Sequence, residues 1–205
     1  PLYFTVGKYR LRLGVFPGAP WMASIPQGIF RPGHTYNAML GYTKNNLSAY
    51  LAYVPQASGQ KQAMMASAFY NNAFGQSGVG YAVDGGYISD IAIGSSLAGT
   101  AVDTLPGSSM VDVDGSLTFK SISLSSGWMS MLSNTSITNN AKASAWYVGA
   151  GYNNLHMFSK TIGFGVNYSA AKNTQNVLMP LAGDSNKGPL LYGVKNAAVV
   201  FADSR

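Results

Sequence analysis

A strict period of two runs through the first fifteen residues and sets tight limits on the fold. Between Leu2 and Phe16 one parity reads Tyr3, Thr5, Gly7, Tyr9, Leu11, Leu13 and Val15, and the other reads Phe4, Val6, Lys8, Arg10, Arg12 and Gly14. Side chains alternate faces along an extended strand, so Lys8, Arg10 and Arg12 share one face there, whereas a helix would scatter them around its circumference. Three like charges on one strand face repel one another and call for water or anionic neighbours.

The same rhythm recurs after each break. Pro17, Pro20, Pro26 and Pro32 with three glycines make the stretch from Pro17 to His34 a long loop, since proline cannot serve in a central strand. Tyr36, Ala38, Leu40 and Tyr42 then alternate with Asn37, Met39, Gly41 and Thr43, and Lys44-Asn45-Asn46 forms a tight turn into Leu47–Pro55. Further strands are expected near Gln62–Tyr70, Gly78–Asp90, Val111–Phe119, Ile122–Leu132, Ala143–Tyr152, Thr161–Ser169 and Leu190–Ala202. Turns are expected at Asn71-Asn72, Lys120-Ser121 and Asn153-Asn154. The reading is all-β: about ten antiparallel strands in an up-and-down arrangement.

Composition selects among β architectures. Only 10% of residues are charged, against roughly 25% in ordinary soluble chains. Yet no apolar run approaches the 18 or so residues of a membrane-spanning helix. Few charges, 24 glycines, 12% aromatics and residue-by-residue alternation fit a transmembrane β-barrel that turns apolar side chains to lipid and polar ones to a lumen. Connections that alternate between long and short agree with it, because outer-membrane barrels have short periplasmic turns and longer outer loops. Pro17–His34 is then external and Lys44–Asn46 periplasmic. Asp203-Ser204-Arg205 falls where a short turn is due, and the first strand heads into a long loop. The 205 residues are therefore expected to form one β-barrel domain, incomplete at both ends and part of a larger barrel.

Several segments carry a resemblance: TVGK at Thr5–Lys8 followed by LGVF ending at Phe16, SAFY at Ser67–Tyr70, VGYAVDGGYISDI at Val79–Ile91, LTFKSISLSSGW at Leu117–Trp128, and AWYVGAGY at Ala145–Tyr152. In this order they resemble the legiobactin-type siderophore porin family. The resemblance implies an outer-membrane barrel of a Gram-negative bacterium, associated with siderophore uptake. The Pro-rich loop and the basic balance depart from the acidic character of such barrels.

Thirteen basic against seven acidic residues give a net charge of +6, which suits anionic solutes or anionic lipid. The cations do not cluster as a nucleic-acid patch would, so nucleic acid is not an expected partner. The expected solute-facing residues are Lys8, Arg10 and Arg12, as a cationic ladder, and Asp84, Asp112 and Asp114 on the opposing polar parity. Either group could instead brace the wall through pairing. Asp112-x-Asp114 alone falls short of the six to eight oxygens that calcium takes. The chain has no cysteine, its two histidines, His34 and His156, are far apart in sequence, and no serine lies in a nucleophile elbow. No catalytic residues, metal ligands or cofactors are therefore expected, and an enzyme is the least supported class. Trp21, Trp128 and Trp146, with the tyrosines, suit interfacial girdles. The expected function is passage or uptake of small anionic solutes such as siderophores, with outer-membrane lipid, and conceivably copies of the same chain, as partners. The competing readings are a soluble β-sandwich or jelly-roll binding module and a structural or adhesive barrel without transport.

Overall fold

The structure, a computed structural model, describes residues 1–10, 34–55, 62–72, 78–90, 109–134, 141–157, 160–173, 178–180, 190–192 and 196–204. These residues form β1 (Leu2–Arg10), β2 (His34–Lys44), β3 (Leu47–Pro55), β4 (Gln62–Asn72), β5 (Val79–Ile88), β6 (Met110–Phe119), β7 (Ile122–Met131), β8 (Ser144–Met157), β9 (Lys160–Lys172), β10 (Leu178–Pro180), β11 (Leu190–Tyr192) and β12 (Asn196–Ser204). Nine of them pair in chain order and β12 joins β9, which gives a ten-stranded antiparallel meander. Among the described residues the sheet does not close on itself, because no pairing joins β1 to β12.

The short turns lie at one end of the sheet. Asn45 takes a left-handed φ of 53° and Lys120 one of 51°. Asparagine adopts this conformation at little cost, and Lys120 is helped by its ammonium lying 5.3 Å from the centroid of the Phe119 ring. The turn ends are stitched together: the Asn71 N–H donates to the Asn46 carbonyl at 2.9 Å and the Lys120 N–H to the Gly78 carbonyl at 3.0 Å.

Three sequence expectations need correction. β8 does not turn at Asn153-Asn154 but runs on to Met157, and those asparagines sit at a register shift between Tyr152 and Leu155. The irregular pair count marks a β-bulge, which two asparagines in sequence mimic as a turn. The single last strand is split: Leu190–Tyr192 pairs with Leu178–Pro180 in a small separate hairpin, and only Asn196–Ser204 joins the main sheet. Finally, the connections 56–61 and 73–78 are equally long, so the expected alternation of loop lengths is not kept there. The first expected strand is seen as far as Arg10, and Arg12, Trp21 and the Pro-rich stretch lie outside the described residues.

The exposed face of the sheet is strongly apolar, while the covered face mixes apolar and polar residues. The exposed face carries Leu40, Leu51, Val83, Val113, Leu117, Leu124, Val148 and Val166, each between 44% and 55% exposed. Aromatic residues flank this aliphatic belt at both strand ends. Toward the long connections lie Tyr36, Tyr53, Tyr87, Trp128 and Trp146, and toward the short turns lie Tyr42, Tyr70, Tyr81 and Phe119. Rings meet between neighbouring strands, Tyr70 with Tyr81 at 5.8 Å, Tyr152 with Phe164 at 5.7 Å and Trp146 with Tyr168 at 5.6 Å. Such contacts add about 0.5–1.5 kcal/mol each beyond their area. The covered face carries both apolar residues, among them Ala52, Val54, Ala63, Met65, Ile88, Met110, Met129 and Tyr147, and polar ones, among them Ser67, Asp84, Asp112, Asp114, Asn167 and Ser169.

Candidate functional site: a buried carboxylate cluster

Three acidic side chains on the covered face come together between β5 and β6. In Val111-Asp112-Val113-Asp114 the period of two sends both valines outward and both aspartates inward. Antiparallel pairing then sets Asp84 of β5 directly opposite Asp114, and Gly86 opposite Asp112. All three are buried: Asp84 is 6% exposed, Asp112 1% and Asp114 2%. One carboxylate oxygen from each lies within 4.8 Å of those of the other two.

Glycines make room for this crowding. Gly127 of β7 pairs with Asp114 on one side and Tyr147 of β8 on the other. A Cβ on Gly127 would collide with the Asp114 carboxylate and the Tyr147 ring, so both occupy the space that the missing side chain leaves. Met129 faces Asp112 from β7. On the β7 side the cluster thus faces a thioether, a phenol ring and bare backbone, and on the β4 side Phe69 lies opposite Asp84.

The electrostatics are severe. Two unit charges 4.8 Å apart repel by ~3.5 kcal/mol at an effective dielectric constant of about 20. Three such pairs sum to ~10 kcal/mol, as much as the whole stability of a typical domain. The cluster therefore needs positive charge, supplied by shared protons or by a cation. The described lysines do not supply it from mid-sheet. Lys44 ends β2, Lys160 begins and Lys172 ends β9, Lys120 lies in a turn, Lys142 precedes β8, and Lys8 lies on β1, which pairs with β2 and not with β5 or β6.

The cationic ladder expected from the sequence is placed differently. β1 pairs with β2 so that Phe4 meets Leu40, Val6 meets Ala38 and Lys8 meets Tyr36. Lys8 therefore shares the exposed face with Leu2, Phe4 and Val6, not the covered face of the aspartates, and its ammonium lies 5.8 Å from the Tyr36 ring centroid. The physical reason is the register: Phe4 pairs with the exposed Leu40, and the period of two carries Lys8 to the same face. Arg10 pairs through its backbone with His34, while Arg12 is outside the described residues. The opposition of cations and carboxylates anticipated across one cavity is not what the β1–β2 register builds. His156 lies in β8 opposite Thr161, away from the cluster.

The parity of all three aspartates could be read from the sequence, but their convergence could not. It depends on the β5–β6 register and on Gly127, whose only sequence signal is an isolated glycine inside a strand, a mark of close approach.

Comparison of the chain with protein-family models, characterised proteins and solved structures finds no match to any of them. The siderophore-porin resemblance thus rests on the quoted segments alone.

Proposed function

We propose that this chain forms the wall of a β-barrel in a bacterial outer membrane and that the barrel passes small solutes. The observation that carries this reading is the apolar exposed face, with an aliphatic belt between two aromatic bands. Ten-residue strands such as β6 span about 30 Å at roughly 3.3 Å per residue, and tilted by ~40° they rise ~23 Å. That height is close to the ~25 Å apolar band of such barrels. In water the exposed apolar face would be an extensive sticky surface, far beyond what a soluble monomer tolerates. In lipid it is the required surface.

The net charge favours anionic solutes, but the described charges on the covered face are acidic. The solutes proposed are accordingly small and neutral or cationic. Siderophore uptake has no observation of its own beyond the sequence resemblance. A second reading has one observation in its favour. Val54, Met65, Met110, Met129 and Tyr147 are at most 1% exposed, a packing that suits a filled barrel with a structural role. Conductance separates the two. Protein refolded into planar bilayers should give discrete steps with a reversal potential shifted toward cation selectivity. Insertion without conductance leaves the structural barrel, and a chain that stays monomeric in detergent-free buffer discards the membrane reading altogether.

A further inference from the structure

We infer that Asp84, Asp112 and Asp114 form a binding site for a hard divalent cation of about the size of calcium. Crowded carboxylates alone do not make a site. The second observation is that the four oxygens of Asp112 and Asp114 are buried with no hydrogen bond of full geometry, though the Tyr147 phenol lies against Asp114. Buried carboxylate oxygens are nearly always satisfied, and leaving one unpaired costs several kcal/mol. Such orphaned oxygens, on carboxylates that bring one ligand atom each within 4.8 Å of the others, are what a cation would satisfy at once.

Coordination habit selects the cation. Oxygens on opposite sides of a calcium ion at 2.3–2.6 Å are about 4.6–5.2 Å apart, whereas around magnesium they are about 4.2 Å apart. Ligand atoms within 4.8 Å of one another fit either ion; calcium's tolerance of irregular geometry, against magnesium's demand for a near-ideal octahedron, favours the larger one at a site made by two strands. Each carboxylate has two oxygens, so the three reach the lower end of calcium's six to eight without help. The donors are all oxygen, with neither cysteine nor histidine in the cluster, which argues against softer transition metals. The site needs no conductance, so it stands or falls separately from the transport proposal.

Terbium luminescence tests it. The full chain, refolded in detergent with its β content verified by circular dichroism, is titrated with Tb³⁺ under tyrosine excitation, where Tyr147 beside Asp114 serves as the antenna. Saturation near one equivalent is expected, with displacement by Ca²⁺. Asp112→Asn and Asp114→Asn should each weaken binding by at least about tenfold, while Asp90→Asn, outside the cluster, should not. Ca²⁺ should also raise the unfolding midpoint of the wild type and leave that of the double Asn variant unmoved. No saturable signal in the folded wild type overturns the inference. So does a signal that survives both Asn substitutions. A third overturning result is a double variant more stable than the wild type with Ca²⁺ present, since that shows carboxyls neutralised by protons.

Discussion

Placing an arginine at Val113 separates a lipid-facing strand from a water-facing one. Val113 is 55% exposed, lies on the aliphatic belt of β6, and is flanked by Gly85 on β5 and Trp128 on β7. It sits ~4 Å from the middle of the strand's vertical span, counting roughly 3.3 Å per residue and a ~40° tilt. An arginine near the bilayer midplane of a barrel costs about 2–4 kcal/mol, and one near the interface about 0–1. Trp128 could return ~1 kcal/mol through a cation–π contact, which leaves a net cost of roughly 1–3 kcal/mol. Phe119, at the turn end of the same strand and face, provides the interfacial comparison. The measurement is equilibrium unfolding in denaturant of protein inserted in lipid vesicles, with each arginine variant referred to the alanine variant at its own position. Val113→Arg should lose at least ~1 kcal/mol more than Phe119→Arg. If the face met water, exposed substitutions would lie within about ±0.5 kcal/mol of neutral at both positions. Equal, near-zero costs at the two positions would refute the membrane assignment of this face.

Other consequences follow from the same geometry. Gly127→Ala should destabilise the folded protein by roughly 1–3 kcal/mol through overpacking against Asp114 and Tyr147. Combining it with Asp114→Ala should recover about 1 kcal/mol or more of that loss in denaturant unfolding, and strictly additive effects would count against the contact. Lys8→Glu should leave the reversal potential of an inserted channel unchanged, because Lys8 shares the face of Phe4 and Val6; a clear shift would place its charge in the pore. In a Trp21→Phe background, brominated lipid should quench the emission of Trp128 and Trp146, which pair on the exposed face, and quenching by aqueous iodide in its place would contradict that exposure.

How far the sequence reveals this molecule depends on which interactions decide each feature. Strand positions were legible because alternation is local: Tyr36 to Tyr42 or Val79 to Tyr87 shows its two faces without reference to any partner. Which face of β1 belongs to the apolar side was not, since both parities of Leu2–Phe16 carry apolar residues and only the pairing of Phe4 with Leu40 decides it. That single register choice moved Lys8 to the opposite side of the sheet and with it the sign of the charge expected on the covered face. The β8–β9 turn was misplaced for a related reason, because Asn153 and Asn154 have the chemistry of a turn but sit at a bulge that only the partner strand reveals. The acidic cluster shows the same division. Asp112 and Asp114 share a face by strand period alone, but Asp84 joins them because β5 and β6 pair in one register out of many. A one-residue slip would turn Asp84 outward among Tyr81, Val83 and Tyr87. On the proposed membrane reading a lipid-facing carboxylate is costly, so burying all three aspartates on the covered face would itself help to fix the register. The residues that most constrain function here are then the ones that hold the two strands in step.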